Sequence, residues 1–300
     1  MLPTARTRYL PHLALMAVSL IYGANFTLAK QVMPLHIQPF GFILLRVLFA
    51  TSAFWLSGLL VKETVARQDF PRLVACGMFG VALNQLWFFK GLSLTSPINA
   101  SLLMIVTPIL VLAFAIVGKQ ERLTWRKAVG IVLGTAGASA IILYSDPANN
   151  REATVLGDVY VFLNAAAYGI FLVIVKPLMA KYHPLTVIKW VFLFGLIPVL
   201  PVGYSELAAV QWANLDVWAW LVVGYVLVFT TFLAYGLNTY AMRSVEPSVV
   251  GYYIYVQPVC ATLIALGTGS DVLTGATVIA GLVTFAGVYL ATTRPKSQTK

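Results

Sequence analysis

Charged side chains are scarce in this sequence: Asp, Glu, Lys and Arg together make up only 10% of its 300 residues. Soluble domains carry roughly 25% charged residues, whereas 60% of this chain is hydrophobic and its mean hydropathy is +0.85. The composition therefore excludes water as the main solvent of the chain. It overrides the one or two soluble domains that the length alone would suggest.

Residues that could hold a metal or act as a nucleophile are also few. The two cysteines, Cys76 and Cys260, lie in apolar stretches, where a thiol behaves as a small hydrophobe. A disulfide framework or a metal site would need more ligands, grouped closely. The three histidines lie far apart near the ends of apolar runs, at His12, His36 and His183. We therefore expect that the protein is not an enzyme and that it binds no metal and no cofactor.

Long apolar runs dominate what the chain does contain. A bilayer core about 30 Å thick needs roughly 20 apolar residues in a helix, and ten runs meet that length: 13–33, 38–61, 73–92, 97–117, 125–144, 157–178, 185–204, 217–240, 247–268 and 274–292. The runs are continuous, whereas the wall of a membrane barrel alternates. We read the first run as a retained helix, because it is too long for a signal peptide and lacks a cleavage site. The sequence predicts an all-α membrane protein with ten transmembrane helices.

The net charge of +10 reflects topology. Sixteen of the twenty basic residues fall on the side of the N-terminus, and only Arg151 falls in the loops of the other side. Because Lys and Arg are enriched in cytoplasmic loops, this split predicts that both termini lie in the cytoplasm and that the protein is a multi-pass protein of the cytoplasmic (inner) membrane. The positive residues form no continuous face, so we expect the lipid bilayer as partner and no nucleic acid.

The two halves of the chain repeat one another. Landmarks recur with equal spacing: Tyr22-Gly23, Lys30 and Met33 match Tyr168-Gly169, Lys176 and Met179, and Pro97 and Pro108 match Pro247 and Pro258. We predict two five-helix units, residues 1–148 and 149–300. An odd number of helices per unit places the second unit in the opposite orientation, which is the usual construction of secondary transporters that work by alternating access. A duplication that merely enlarged a helical protein is the alternative.

The motifs resemble those of the drug/metabolite transporter superfamily, and specifically its ten-helix EamA-type exporters. The resemblance rests on Tyr22-Gly23-Ala24-Asn25-Phe26 in helix one, on Arg46 early in helix two, and on Asn99-Ala100-Ser101-Leu102-Leu103 through to Pro108 in helix four. It covers nearly the whole chain and departs from the family at Tyr22, where tryptophan is common. The resemblance implies outward transport of small metabolites, with amino acids a frequent class, through a mid-membrane pocket formed by the first four helices of each repeat.

Three cations lie within the predicted spans, and they are the first candidates for substrate binding. Lys30, Arg46 and Lys90 all occupy the half of the membrane opposite the N-terminus. Ionisable residues in spans generally face the bundle interior, and we find no Asp or Glu in the central spans to neutralise them. They therefore predict a cavity for a substrate carboxylate or another anion. The alternatives are that Lys30 and Lys90 reach the interface and that Arg46 clamps exposed helix-end carbonyls.

Polar and aromatic residues at helical spacing complete the predicted pocket. Residues three or four apart point the same way, so pairs of them could present a hydrogen bond and an aromatic wall together; packing between helices is the alternative. With Asn99, the candidates are Tyr22 and Asn25, Asn84 and Trp87, Asn164 and Tyr168, Tyr235 and Asn238, and Tyr252 and Tyr255. Two mid-span prolines, Pro108 and Pro258, are the predicted bending points for gating, with simple packing kinks as the alternative.

The function that these features predict is secondary transport of small organic metabolites, with export of amino acids or related compounds. The alternatives are transport or flipping of a lipid-linked or drug-like substrate and a membrane scaffold without transport activity. We expect a monomer. Coupling stays open between facilitated diffusion and a proton carried by a group such as Lys30 or Tyr22, since no acid lies deep in a predicted span.

Overall fold

The structure of the protein is a computed structural model that describes residues 5–59, 61–143, 154–242 and 253–292. The described part is formed by helices and contains no β-strand. We number ten helices in chain order: α1 Ala5–Val32, α2 Pro39–Gly58, α3 Arg67–Leu94, α4 Pro97–Val117, α5 Trp125–Leu143, α6 Val155–Lys181, α7 Pro184–Ala208, α8 Val217–Asn238, α9 Val256–Gly267 and α10 Gly275–Thr292.

Within the described residues, nine of these helices are long and apolar enough to cross a membrane. The tenth, α9, is a shorter apolar helix. The predicted ninth span, 247–268, begins in residues outside the described part, so the count of ten spans stays a prediction. The prediction of an all-helical chain is confirmed for the residues described.

The helices begin where the local sequence favours a helix start. Proline occupies the first position of α2, α4 and α7, where its missing N–H costs no intrahelical hydrogen bond. Side-chain oxygens accept hydrogen bonds from the first-turn N–H groups of α4, α6 and α8, through Ser96, Thr154 and Asp216. These caps satisfy backbone N–H groups that a helix leaves without an intrahelical partner in its first turn.

Each helix packs against partners from the other half of the chain. Helix α2 packs on α7, and α5 packs on α10. Helix α1 lies against α8 and α9, while α6 lies against α3 and α4. The contacts of α1 and those of α6 correspond to each other. Each helix has its counterpart five helices away in the chain, so α1 corresponds to α6, α8 to α3 and α9 to α4. The interior of the bundle is thus lined by both halves.

Glycines allow α5 and α10 to approach at backbone distance. A Cβ atom on Gly287 would lie 2.3 Å from the backbone nitrogen of Gly134 and 2.8 Å from the carbonyl oxygen of Gly130. A Cβ atom on Gly137 would lie 2.3 Å from Oγ1 of Thr284. Small residues at such spacing are the usual contact between membrane helices. Gly281 faces elsewhere, towards Leu102 of α4.

Hydrogen bonds to acidic side chains connect helices at both ends of the bundle. We call the face at which α1 begins the N-face and the opposite face the far face. At the far face, the Glu206 carboxylate accepts hydrogen bonds from the backbone N–H groups of Phe40 and Gly41 at 2.7 and 2.9 Å, which satisfies the start of α2. At the N-face, Asp69 accepts from Lys181 Nζ at 2.5 Å and from the Tyr182 hydroxyl at 2.6 Å. Both contacts join the region of α2 and α3 to α6 and α7.

Candidate substrate-binding site

Arg46 lies two turns into α2 from the far face and joins the two halves of the chain. Its Nε donates a hydrogen bond to Oγ1 of Thr231 on α8 at 3.1 Å. Its guanidinium carbon lies 5.7 Å from the centroid of the Phe89 ring on α3, within cation–π range. The side chain is half-buried. A permanent positive charge is therefore held at the junction between α2, α3 and α8.

A π-helical segment places Thr231 opposite Arg46. Residues Val226–Leu233 of α8 form the wider π-helix, and Thr230 and Thr231 both donate their hydroxyls to the carbonyl of Val226, at 2.6 and 3.2 Å. Such segments are rare and recur at functional sites. Thr231 is not among the site residues predicted from the sequence. Its only signal was the pair of adjacent threonines inside an otherwise apolar run.

Asn84 and Asn164 meet across the contact between α3 and α6. The amide of Asn164 donates to the carbonyl of Asn84 at 2.7 Å, and the amide of Asn84 donates to the carbonyl of Asn164 at 3.4 Å. Asn164 is 2% exposed, and its Oδ1 accepts no hydrogen bond within the described residues. The same is true of the buried amide oxygens of Asn25 on α1 and Gln85 on α3.

Replacing Asn164 with alanine is expected to destabilise the protein more than replacing Asn84 does. The Asn164 amide makes the shorter hydrogen bond and is the more deeply buried of the two, and hydrogen bonds between membrane helices contribute about 0.6 to 1.7 kcal/mol. Melting of the two variants in the same detergent measures the difference. Equal melting temperatures would contradict this order.

Lys30 belongs to a polar cluster at the far face that also contains an acid. Its ammonium donates to the carbonyl of Thr95 at 2.5 Å, and Thr95 donates its hydroxyl to Asp158. The Asn99 amide donates to the second carboxylate oxygen of Asp158 at 3.4 Å. Asp158 is in the first turn of α6 and is 0% exposed.

Asp158 corrects the expectation that no acid accompanies the intramembrane cations. The residue lies at the edge of a predicted span, where an acid is usually solvated, and it is not among the site residues predicted from the sequence. The tertiary structure buries it because α6 packs on α3 and α4 at this level. The available signal was its position inside the apolar run 157–178.

Lys90 and Trp87 are half-buried on α3. The ammonium of Lys90 lies 5.8 Å from the centroid of the Phe40 ring at the start of α2. The contacts described for Lys30, Arg46 and Lys90 are with the carbonyl of Thr95, with Thr231 and Phe89, and with Phe40, respectively.

The aromatic candidates contact other parts of the bundle. Tyr22 packs against a small cluster formed by Val18, Ile21 and Ala234. The Tyr168 ring lies 5.7 Å from that of Phe171, and the Tyr255 ring meets Phe285 edge-on at 5.3 Å. Asn238 is half-buried. Tyr252 and the side chain of Tyr235 lie outside the described residues.

Pro108 and Pro258 each stand in the first turn of a helical segment. Pro108 is the second residue of Thr107–Val117, directly after the 3₁₀ segment Met104–Val106 that interrupts α4. Pro258 is the third residue of α9, which follows a turn at Tyr255. Proline is tolerated at the first turn of a helix, so both residues mark the point where a new segment begins.

The fold and the site define a multi-pass membrane protein with a half-buried cation between the two halves of its helical bundle. The model of the EamA-like transporter family matches the chain twice, at residues 10–143 and 155–293. The chain therefore belongs to the EamA-like transporter family, as its motifs predict. It is a membrane transporter in contact with the lipid bilayer, and membership of a family of transporters agrees with the prediction that it is not an enzyme.

Individual relatives agree with this assignment. An uncharacterized transporter of Archaeoglobus fulgidus is 25% identical over 288 residues, which cover 94% of this chain and 97% of the relative. A probable terminal-alkyne amino-acid exporter of Streptantibioticus cattleyicolor is 26% identical over 78% of this chain and 76% of its own length. A solved crystal structure matches with a TM-score of 0.59 at 22% identity, over 95% of this chain and 97% of that one. The last comparison shows a shared fold.

Proposed function

We propose that this protein is a secondary transporter that exports amino acids or related small metabolites across the cytoplasmic membrane by alternating access. The observation that carries the proposal is the position of Arg46, whose guanidinium contacts Phe89 of the first half and Thr231 of the second. A guanidinium recognises a carboxylate through two parallel hydrogen bonds. The amino-acid exporter among the relatives supports the same substrate class.

The proposal includes two five-helix units of opposite orientation, residues 1–148 and 149–300, with ten spans in total. The two separate matches to the family model support this division. The packing supports it as well, because α1 contacts α8 and α9 as α6 contacts their counterparts α3 and α4. Gly23 of α1 faces Cys260 of α9, and its repeat equivalent Gly169 of α6 faces Val111 of α4.

Irregular segments recur at corresponding places in the two units. Helix α3 contains the π-helical segment Met78–Ala82, and α8 contains Val226–Leu233. A break precedes Pro108 in α4, and a turn precedes Pro258 before α9. Local departures from the α-helix mark hinges and functional sites. We therefore place the bending points for gating at Pro108 and Pro258.

The orientation that we propose puts the N-face in the cytoplasm. The residues described at this face include clusters of basic side chains, with Lys62 before α3, Arg67 and Arg72 in its first turns, and Lys119, Arg122, Arg126 and Lys127 around the start of α5. The far face carries the acids Glu206, Asp216 and Asp271. The positive-inside rule assigns the basic face to the cytoplasm. One chain contains both units, so we propose a monomer as the functional form.

The pocket that we propose combines this cation with buried amides. The carboxylate of the substrate would bind Arg46, and its ammonium would donate to the amide oxygens of Asn25, Gln85 and Asn164. A buried amide oxygen is stabilised by such a donor. Of the remaining candidates, the proposal keeps Tyr22, Lys30, Asn84, Trp87, Lys90, Asn99, Tyr168, Tyr235, Asn238, Tyr252 and Tyr255.

Counterflow in proteoliposomes tests the substrate class. Vesicles loaded with one unlabelled amino acid at a time are expected to accumulate the same labelled compound transiently, for at least one member of a panel of the common amino acids. Vesicles that lack the protein but are loaded in the same way are the control. If no amino acid exchanges while a lipid-linked or drug-like compound does, the proposed substrate class is wrong.

A further inference from the structure

The two-residue turn between α3 and α4 ties several elements together at the far face. Lys30 at the end of α1 donates to the carbonyl of Thr95, and Thr95 donates to Asp158 of α6. Thr154, directly before α6, donates both its backbone N–H and its hydroxyl to the carbonyl of Leu94, at 3.0 and 2.7 Å. Asp271, in the connection between α9 and α10, accepts from the N–H of Ile98 at 2.9 Å. The turn therefore holds both halves of the chain together.

Asp158 is the buried centre of this arrangement. Its two carboxylate oxygens accept from Thr95 and from Asn99, and the residue is 0% exposed. Removing a carboxylate from water is costly unless hydrogen bonds and opposite charge compensate for the lost hydration. The stabilising hydrogen bonds come from α4 and from the turn before it, and Lys30 contributes a positive charge to the same cluster. Separating α6 from α4 would therefore remove the interactions that stabilise the buried carboxylate.

A corresponding contact exists at the N-face. His12 precedes Tyr22 by ten residues, as Asp158 precedes Tyr168, so the two are equivalent in the repeat. His12 Nδ1 lies 3.1 Å from the Tyr253 hydroxyl, just before α9, and Ser19 donates to the carbonyl of Tyr253 at 2.7 Å. Each unit thus begins with a titratable residue that contacts the fourth helix, or its approach, in the other unit.

We propose that Asp158 is a proton-responsive lock of the far face: its carboxylate holds α6 to the turn between α3 and α4, and its protonation opens that face. The inference rests on the proposed alternating access. A proton on the carboxylate removes its charge and occupies one of its acceptor sites, so the hydrogen bonds from Thr95 and Asn99 weaken. The opened face would expose the interior beneath the turn.

The charges around Asp158 agree with a switch at this residue. Among the described side chains, the charged groups whose hydrogen bonds place them at the cluster are Lys30, on the carbonyl of Thr95, and Asp271, on the N–H next to Asn99. The ammonium of Lys90, from the end of α3, lies over Phe40 of α2. The basic residues of α5, Arg126 and Lys127, are at its N-face end. Lys30 is therefore the cation that a described hydrogen bond places at this cluster.

Cysteine accessibility measures the state of this face without any substrate. Thr27 is 0% exposed and lies one helical turn inward from Lys30, so T27C reports on the space beneath the cluster. The reporter is placed in a C76A/C260A background, which lacks both native cysteines. Leu35, 83% exposed in the connection between α1 and α2, supplies L35C as a surface reference. Intact cells are treated with a membrane-impermeant maleimide, and the ratio of T27C to L35C labelling is compared.

D158N is expected to raise this ratio about fivefold or more, and T95V is expected to raise it in the same direction. Lowering the external pH by about two units should raise the ratio in the parent protein and leave it unchanged in D158N. The reference at Leu35 cancels the pH dependence of the maleimide reaction itself. H12Q, the matched change at the N-face, should not raise the ratio.

Two results would overturn the proposal. One is a ratio in both D158N and T95V that stays within about twofold of the parent; the other is a parent ratio that does not respond to external pH. V18C, a buried position in the N-face half of α1, must stay unlabelled, which excludes general unfolding. The labelling experiment contains no substrate. If the proposed substrate class is wrong, the counterflow assay gives a negative result while the labelling ratios are unaffected.

Discussion

Replacing Arg46 with glutamine is expected to lower amino-acid counterflow by about 30-fold or more. The reason is that, in the proposed pocket, the guanidinium would supply the positive charge for the substrate carboxylate from a half-buried position. Loss of one member of a hydrogen-bonded charge pair in such a position costs about 2 to 5 kcal/mol. The rate is measured in proteoliposomes at equal amounts of folded protein. Arg46→Lys should fall in between, since an ammonium keeps the charge and loses the planar fork.

Two controls separate substrate binding from architecture. Arg126→Gln removes the same side chain at an exposed position in the first turn of α5 and should leave counterflow unchanged. Thr231→Val removes the acceptor of Arg46 Nε while keeping the charge, so a smaller loss of roughly 3- to 10-fold is expected. If Arg46→Gln lowered the melting temperature and left substrate affinity intact, Arg46 would be a structural clamp on helix ends instead.

Replacing Gly287 with alanine is expected to prevent or severely weaken the packing of α5 on α10. The added Cβ would lie 2.3 Å from the backbone nitrogen of Gly134 and 2.7 Å from its Cα, and backbone atoms cannot move aside as a flexible side chain does. Overpacking of this kind costs typically 1 to 3 kcal/mol, and more where the backbone must shift. Gly287→Leu should abolish recovery of monodisperse protein from the membrane.

The same helix offers a matched control. Gly275 begins α10, and a Cβ atom there would meet nothing within 4 Å. Gly275→Ala should therefore leave the melting temperature unchanged or raise it, because alanine is favoured over glycine in a helix by about 1 kcal/mol. Melting and size-exclusion profiles in one detergent compare the variants. A Gly287→Ala protein as stable as Gly275→Ala would contradict the close approach of the two backbones.

The sequence predicted the positions of the helices well wherever an apolar run is bounded by a strong signal. The run 38–61 corresponds to α2 at Pro39–Gly58, and the run 185–204 corresponds to α7 at Pro184–Ala208. The third helix was predicted to begin at residue 73, whereas α3 begins at Arg67. The difference arises because a 3₁₀ turn, Arg67–Asp69, leads into the helix. Asp69 in this turn accepts hydrogen bonds from Lys181 at the end of α6 and from Tyr182 directly after it.

The candidate site was predictable only in part. That Arg46 lies within a span, two turns from an end, followed from counting residues in an apolar run. Its contacts with Phe89 and Thr231 could not be predicted, since Thr231 lies 185 residues away in the chain. Asp158 was overlooked for the same reason. An acid at the end of an apolar run can be solvated or buried, and only the helices packed around it decide which.

The amino-acid sequence alone determined that this chain belongs in lipid, that it is helical, and that its motifs recur in two halves. Each of these properties depends on the residues within one segment. The free energy of transferring a run of side chains from water to hydrocarbon, for example, is set by the composition of that run. The tertiary structure alone decided that Lys30 and Asp158 share a cluster, that Arg46 meets Thr231, and that Gly287 touches Gly134. Those are contacts between residues far apart in sequence, and their geometry is set by how closely the helix backbones can approach one another.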